Sequence, residues 1–536
     1  MNEDSIPAPR IRPVGDAALT VELGDAIDPI LNARVRALDR ALAERPFAGF
    51  IESVATHRSL LVCFEPARVS FAEAANALTE LEAHAVIHDD PKALHEVGVR
   101  YGGEEGPDLE AVARRAGLTA AEVVALHTGG EYVAFMLGFL PGFAYLGLLP
   151  EALDTPRLET PRVRVPAGSV GVAGRLTGIY PAGVPGGWNL IGRTARRLFD
   201  PHADPPSLIR AGDRVRFKAV DRLDERPALA PQTPPSAFEP ALEVVAPGLL
   251  TTVQDAGRAG FRRYGVGGSG PLDAGAHARA NRAVGNEATA AALECTLVGP
   301  TLRFLRTTSF AVTGADLGAR LERDDLGSWP VPEGARVVAR SGNVLSFEGR
   351  RSGCRAYVSF AGGIDVAPVL GSRSTDLMGG FGGLAGRALT AGDAIALLSP
   401  GRALESHPDM EPRAADAEGE DDASVRVVLG PQDDHFTAEA ALRLLSATWS
   451  VRASSDRSGC RLEGPRLEHR GASEIASDGM VPGCIQVPPD GQPIVILADG
   501  PTTGGYPKIA TVVRGDLRKL AQLVPGAGRV RFRSAW

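Results

Sequence analysis

The sequence predicts an α+β protein rich in strands, with a small α+β domain at the N-terminus and β domains in both halves. Three observations predict it. The 536 residues include 63 Gly and 41 Pro, which supply many turns and leave little room for long helices. Apolar runs are short and β-branched, as at 494–498 (IVILA) and 509–513 (IATVV). Helical periodicity is confined to short segments, and the length accommodates roughly three or four domains.

Bulk composition narrows the function classes. Hydrophobic content of 44% and charged content of 23% fit a globular chain with sizeable cores. A net charge of −8 argues against a nucleic acid or an anionic membrane as partner, and leaves open a small anionic substrate held in a locally basic site. The five cysteines form no C-x-x-C pair and are odd in number, so neither a disulfide framework nor a zinc site is expected. No signal core opens the chain and no run reaches the length of a membrane span. These features predict a cytoplasmic protein without a resident metal.

The elements follow in order. Residues 11–23 read as a strand pair, 28–45 as a helix after an Asp-Pro start, 51–64 as a second strand pair and 70–83 as a second helix. This order gives a small domain over 1–95 with two helices on one sheet face. Residues 105–130 have the spacing of a helix-turn-helix, but the second helix, TAAEVVALH, has no Lys or Arg to meet phosphates, so a packed helical hairpin is expected. Residues 132–147, YVAFMLGFLPGFAYLG, read as a strand, a turn and a pocket wall. A β domain is expected over 96–221. Residues 222–240 are Pro-rich and aperiodic, a linker. In the second half, 241–536, Gly265-Val-Gly-Gly-Ser-Gly270 matches G-x-G-x-x-G before a helix at 271–284. No hydrophobic strand precedes it, so no dinucleotide site is expected, although its amides with Arg262 and Arg263 could hold an anion. No P-loop occurs. Strands fill 296–400, interrupted by the glycine-rich loop 371–386 with Arg373 and Asp376. Residues 401–424 are an acidic excursion, with order resuming at Val425 and a helix at 437–445.

The stretch 479–514, GMVPGCIQVPPDGQPIVILADGPTTGGYPKIATVVR, concentrates chemistry. Its first strand ends on Asp499, and the following loop carries Thr502, Thr503, Tyr506 and Lys508. An acid, two hydroxyls, a phenol and an ammonium on one tight loop is a common way to build a polar site. A hairpin connection that needs Gly504 and Gly505 for its turn, with Lys508 solvated, is the alternative. An echo stands upstream. Val165-Pro166, a strand and Thr177-Gly-Ile-Tyr180-Pro181 parallel Val487-Pro488, a strand and Thr503-Gly-Gly-Tyr506-Pro507. Gly212-Asp-Arg-Val-Arg-Phe217 parallels Gly528-Arg-Val-Arg-Phe532. Two related β units are predicted.

Several of these motifs carry a family resemblance. Gly138-Phe-Leu-Pro-Gly-Phe-Ala-Tyr-Leu-Gly147, Val165-Pro-Ala-Gly-Ser-Val-Gly-Val-Ala-Gly174, Thr177-Gly-Ile-Tyr-Pro181 and Gly186-Gly-Trp-Asn-Leu-Ile-Gly-Arg-Thr194 resemble the B component of 5-oxoprolinase, also labelled allophanate hydrolase subunit 1. Thr252-Val-Gln-Asp-Ala-Gly-Arg258, Ala280-Asn-Arg-Ala-Val-Gly-Asn286, Leu429-Gly-Pro-Gln-Asp-Asp-His435, Ser455-Asp-Arg-Ser-Gly459 and residues 479–514 resemble the C component of 5-oxoprolinase, the biotin-dependent carboxyltransferase-like family. The resemblance covers about 10–220 and 242–533. The departures are Leu176, where the family usually has Gln, and Val184, where it usually has Ser; both flank the expected pocket.

The resemblance implies cyclophilin-like β-barrels in both halves and a natural B–C fusion. It implies an ATP-dependent 5-oxoprolinase that opens 5-oxoproline (pyroglutamate) to L-glutamate together with a separate A component, with Mg²⁺ accompanying ATP. A lactam is a poor electrophile, and phosphorylating its oxygen creates a leaving group for water attack. Within that frame the catalytic candidates are Asp499, which would hold Mg²⁺ or orient water, Lys508, which would offset anionic charge, Tyr506 as a hydrogen-bond donor, and His127. The substrate-binding candidates are Thr503, Gln486, Thr177, Tyr180, Asn189 and Arg193, the last able to grip a carboxylate bidentately. His127 and His435 are either acid/base groups or histidines held by structural hydrogen bonds. Two further readings are a biotin-dependent carboxyltransferase of urea amidolyase type, with biotin brought by partner chains, and a regulatory inhibitor of a histidine kinase. A homo-oligomer or hetero-complex is expected.

Overall fold

A computed structural model describes residues 8–87, 92–224, 239–399 and 421–535. Most of the linker and acidic excursion predicted at 222–240 and 401–424 lies outside these residues. The N-terminal domain is a four-stranded antiparallel sheet in the order Arg10–Pro13, Ala18–Glu22, Ser59–Phe64, Phe50–Ala55. Helices Pro29–Glu44 (α1) and Phe71–Ala83 (α2) pack on one face. The Asp28 carboxylate caps α1 through the amides of Ile30 and Leu31, and Ser70 with Glu73 forms a capping box on α2. The other sheet face is also covered. Val14, Ala18, Val54, Leu61 and Cys63 share a cluster with Met480, Cys484 and Ile496 near the C-terminus. Burial on both faces explains why Ser59–Phe64 reads SLLVCF with no polar alternation.

Each half contains a closed barrel of seven strands. In the first the strands are, in chain order, Leu94–Tyr101, Tyr132–Leu137, Ala144–Gly147, Ser169–Ala173, Leu176–Ile179, Asn189–Arg193 and Arg214–Ala219. In the second they are Asp422–Leu429, Thr448–Val451, Gly459–Glu463, Cys484–Gln486, Ile494–Ile496, Lys508–Val512 and Arg529–Ser534. Around both barrels the order is first, sixth, fourth, fifth, third, second, seventh, and the first and seventh strands pair in parallel. The second barrel's first strand begins at Asp422, a little before the Val425 expected from the sequence, while Leu94 and His95, expected in the N-terminal domain, open the first barrel. The helical hairpin Leu109–Ala116 (α3) and Ala120–Thr128 (α4) buries Leu109, Val112 and Val123 in the first barrel's core, as a packing element would.

The duplication is genuine, but the register read from the sequence echo is one strand off. Thr177 lies on the fifth strand of its barrel, whereas Thr503 precedes the sixth. The element equivalent to Thr503–Gly504 is Val184–Gly186, each paired with a short strand before the fourth: Arg162–Val165 in the first barrel and Asp478–Gly479 in the second. Sixth and fourth strands bulge at the same place, Ile191 in one barrel and Ile509 in the other. That aligns Gly186-Gly-Trp-Asn-Leu-Ile191 with Gly504-Gly-Tyr-Pro-Lys-Ile509 without a gap. The last-strand echo is in register, with Phe217 and Phe532 in equivalent core positions.

The rest of the second half is a two-sheet sandwich over 240–397. Leu242, Val244, Leu302 and Leu345 of one sheet interleave with Val253, Leu293, Val358 and Phe360 of the other. Helix Ala274–Ala283 (α5) packs against the five-stranded sheet. Two short helices, Ala438–Ser446 (α6) and Leu517–Ala521 (α7), flank the second barrel. The loop at 255–273, between the first two strands of the five-stranded sheet, reaches both barrels. The Gly142 amide donates to the Tyr264 carbonyl at 2.8 Å, and the Ser269 amide to that of Ala498 at 3.3 Å. The glycines of the G-x-G-x-x-G match permit this wedge. A Cβ on Gly265, where φ is +78°, would stand 2.1 Å from the Leu140 carbonyl.

A buried ion pair clamps the two halves. Glu52 of the N-terminal sheet accepts from Arg262 Nε at 2.9 Å and from the Gly260 amide at 2.8 Å, and both side chains are buried. Arg262→Ala would strand the carboxylate and cost about 3–5 kcal/mol. Urea denaturation is expected to read that loss, and Arg262→Met combined with Glu52→Leu to recover most of it.

Candidate functional site

Lys508 opens the sixth strand of the second barrel. Its ammonium is wholly buried and donates to Asp478 Oδ2 at 2.7 Å. Gln432 Nε2 donates to the same oxygen at 2.9 Å, and Gln432 Oε1 accepts from the Lys508 amide at 3.2 Å. The hydroxyl of Ser59, from the N-terminal domain, donates to Asp478 Oδ1. Burial pushes the Asp478 carboxyl up in pKa, but the charge and hydrogen bond of Lys508, with Ser59 and Gln432, outweigh it and hold the group at about 2. Lys508 is therefore spent on a carboxylate instead of being solvated on a hairpin or free to meet an anion.

Beside this pair runs the contact between the barrels. Thr502 and Thr503 are buried, and Gly138 of the first barrel closes over Thr503: a Cβ on Gly138 would stand 2.2 Å from Thr503 Oγ1. Gln486 faces Lys508 across the fourth and sixth strands. The Tyr145 phenol is raised in pKa by burial, and Ser477 and Thr503 beside it ease the rise, although Thr503 Oγ1 meets no partner in hydrogen-bond geometry. His57 packs edge-on against Tyr145 and Phe135, with ring centroids 5.5 and 5.8 Å apart. Burial, then Arg58, push its imidazole down to about 3, so it is neutral at every physiological pH. At the rim, Tyr506 is half-buried. The Arg157 guanidinium lies over Gly505, 3.1 Å from the position of a Cβ there, and 3.9 Å from Glu474.

The structure gathers Thr503, Gln486, Tyr506 and Lys508 at one contact, with Tyr180 behind it. Tyr180 packs on Phe143 at 5.2 Å, and burial raises its phenol to about 12. The remaining expected residues are placed elsewhere. Both Asp499 oxygens accept from Arg457, at 2.8 and 3.0 Å, and Arg457 also bonds Glu294 and the Gly270 carbonyl. That carboxylate braces the barrel against the sandwich. His127 lies in the first barrel's core, with Nδ1 2.7 Å from the Tyr101 phenol and Nε2 2.9 Å from Thr177 Oγ1. Burial drives it down to about 3, so it cannot serve as an acid or base near neutrality. Thr177 is engaged by the same histidine and by the Gly171 carbonyl. Asn189 is tied to the Pro156 carbonyl at 2.8 Å, and Arg193 to the Ala167 carbonyl at 3.0 Å and to Glu105. His435 lies in a short turn, half-buried.

Ser59, His57, Tyr145, Arg157, Gln432 and Asp478 complete the site, and the sequence alone does not single them out. Gln432 and Tyr145 sit inside the family motifs, and Asp478 immediately precedes the chemistry-rich stretch 479–514. No composition signal marks Ser59 or His57, which arrive from another domain.

The two carboxylates nearest the site are not open to Mg²⁺ in this arrangement. Asp499 and Asp478 are each consumed by a buried cation, and no group of three or more His, Cys, Asp or Glu among the described residues could hold a metal ion. No helix among the described residues is long and apolar enough to cross a membrane.

The carboxyltransferase domain, subdomains A and B, matches residues 264–534, and subdomains C and D match 9–209. The chain is 40% identical over 285 residues to the C component of 5-oxoprolinase from Escherichia coli, covering 53% of this chain and 88% of that protein. It is 41% identical over 226 residues to the B component of 5-oxoprolinase from Bacillus subtilis, covering 40% of this chain and 94% of that protein. Urea amidolyase of Lachancea kluyveri is 34% identical over 58% of this chain, which spans 17% of that protein. The crystal structure of TTHA0988 superposes with a TM-score of 0.83 at 36% identity, covering 98% of this chain and 100% of that one.

The buried histidine sets a pH dependence. His127 folds with its pKa depressed to about 3, so the unfolded chain binds the extra proton below its own pKa of about 6.5, and stability present above that value is lost as pH falls. Between pH 6.5 and 5, urea unfolding of His127→Gln is expected to show a slope shallower than wild type by about 1 kcal/mol per pH unit. Equal slopes would mean that the imidazole charges in place.

Proposed function

The chain belongs to the carboxyltransferase-domain family and joins counterparts of the B and C components of 5-oxoprolinase in one polypeptide, and from that premise we propose that it supplies both components of an ATP-dependent 5-oxoprolinase. The observation that carries the reading is that the site is built by both halves. Ser59, His57 and Tyr145 come from the half similar to the B component, and Lys508, Asp478, Gln486 and Thr503 from the half similar to the C component. A fusion keeps the two in fixed proportion.

The reaction cleaves the lactam C–N bond of 5-oxoproline. Water oxygen ends on the carbonyl carbon and protons on the released nitrogen, giving L-glutamate. Thr503 and Gln486 suit the polar edge of the lactam, and Arg157 and Tyr506 at the rim suit its carboxylate. Lys508 and Asp478 hold the loop that presents Thr503, a positioning role. ATP and Mg²⁺ belong, in this reading, to a separate A component, because the carboxylates here are already paired.

A second reading has one observation in its favour, the similarity to urea amidolyase together with the carboxyltransferase match. Here the chain would move a carboxyl group to a urea-like acceptor, with biotin carried by a partner chain. Purified chain mixed with a candidate A component separates the two. Glutamate release from 5-oxoproline that requires ATP and both proteins is the expected result. No release, with biotin-dependent carboxyl transfer to urea, would replace the first reading by the second.

A further inference from the structure

Polar atoms are stranded where the two barrels meet. The hydroxyl of Thr502, Gln486 Oε1 and both ring nitrogens of His57 are cut off from solvent with no hydrogen-bond partner among the described residues, and the Thr503 hydroxyl, beside the Tyr145 phenol, meets none in full hydrogen-bond geometry. A buried polar group without a partner forfeits the hydration it had in the unfolded chain, and folded proteins keep few of them. Here they converge. Thr503 pairs with Gly479 next to Asp478, and Gln486 Oε1 lies 3.0 Å from where a Cβ on Gly504 would stand. His57 stands against Tyr145, whose phenol adjoins Thr503.

What covers Thr503 is one short loop, residues 138–142 of the first barrel, while His57 is covered by Phe135 and Tyr145 of the same barrel. Gly138 touches Thr503 so closely that no side chain could replace its hydrogen. The next residue, Phe139, is held in the left-handed region at φ +65°, an unfavourable conformation for a residue with a Cβ. Closure therefore leaves both a strained backbone and unsatisfied polar atoms. Either is relieved if the loop moves away and a ligand takes its place.

We infer that this contact is the closed state of a gate. Residues 138–142 part from 502–505 to admit a small molecule presenting a neutral amide edge, which His57, Thr502, Thr503 and Gln486 then bind. The donor pattern sets the class. Hydroxyls and an imidazole N–H can donate to a carbonyl oxygen, whereas Gln486 Oε1 can only accept and so calls for a donor, which the N–H of an amide edge supplies. A charged part of the ligand would stay at the rim, beside Arg157. The gate rests on the stranded atoms and Phe139. Only the choice of 5-oxoproline as ligand rests on the function proposed above.

Apolar isosteres provide the test: Thr503→Val, Gln486→Leu and His57→Phe. Each removes an unpartnered atom, so each is expected to raise or leave unchanged the urea midpoint while weakening 5-oxoproline binding about 10-fold or more by calorimetry. Unchanged affinity in all three would overturn their role as ligand contacts. Hydrogen exchange on the full wild-type chain judges the gate separately. Amides at 138–142 and 502–505 are expected to exchange faster than those of Tyr132–Leu137, and equal protection would overturn opening. A wild type that binds no 5-oxoproline but exchanges fast at both segments would sink the substrate reading and uphold the gate.

Discussion

A buried ammonium dictates the arrangement around it. Lys508 has no access to water, and an unpaired charge there would cost far more than a domain can spare. Asp478 must therefore lie against it, and Asp478 in turn draws Gln432 from the second barrel and Ser59 from the N-terminal domain. Three pieces of chain remote in sequence are held to one carboxylate. Asp478 sits on the short strand paired with Thr503–Gly504, so the same pair fixes the threonine that meets the first barrel. Exposed, a lysine and an aspartate would contribute little. Sealed between a sheet face and a barrel wall, they set the geometry of the site.

The duplicated barrels show how that pair was accommodated. The position of Lys508 in the second barrel is held by Leu190 in the first, and that of Gln486 by Gly171. Leu190 belongs to an apolar cluster with Phe143, Tyr145, Tyr180 and Trp188 on the outer wall of its barrel. One topology thus carries an oily wall in one copy and a polar wall in the other, and the two walls face each other. A contact of this kind has apolar bulk to exclude water on one side and hydrogen-bonding groups to give direction on the other, the combination ligand sites use.

Much of the fold was legible because its signals are local. Asp28 before α1, the Ser70–Glu73 capping box and the two-face burial of SLLVCF are written within a few residues of the element they determine. The site was legible in part. Thr503, Gln486, Tyr506 and Lys508 share a loop and a strand pair, so a sequence window finds them together. Asp499 misleads for the same reason: nothing in the window reveals Arg457, 42 positions upstream, which takes both its oxygens. His127 misleads because its partners, Tyr101 and Thr177, come together only when the barrel closes. The echo marks a real duplication, but turn residues such as Thr, Gly, Tyr and Pro recur at many strand ends, and only strand pairing fixes which turn matches which.

Asp499 and Lys508 together explain why the loop between them can be both exposed to a partner barrel and well placed. At one end Arg457 pins Asp499 toward Glu294 and the sandwich. At the other, Lys508 is pinned to Asp478 and the N-terminal domain. Each anchor is buried, so salt and solvent weaken neither. The residues between, Gly500 to Pro507, need carry no structural charge of their own. They are free to be small and polar, which is what a surface that must fit closely against Gly138 requires. A buried carboxylate at one end and a buried ammonium at the other thus serve the loop as mounts, and the side chains it turns to the first barrel are uncharged.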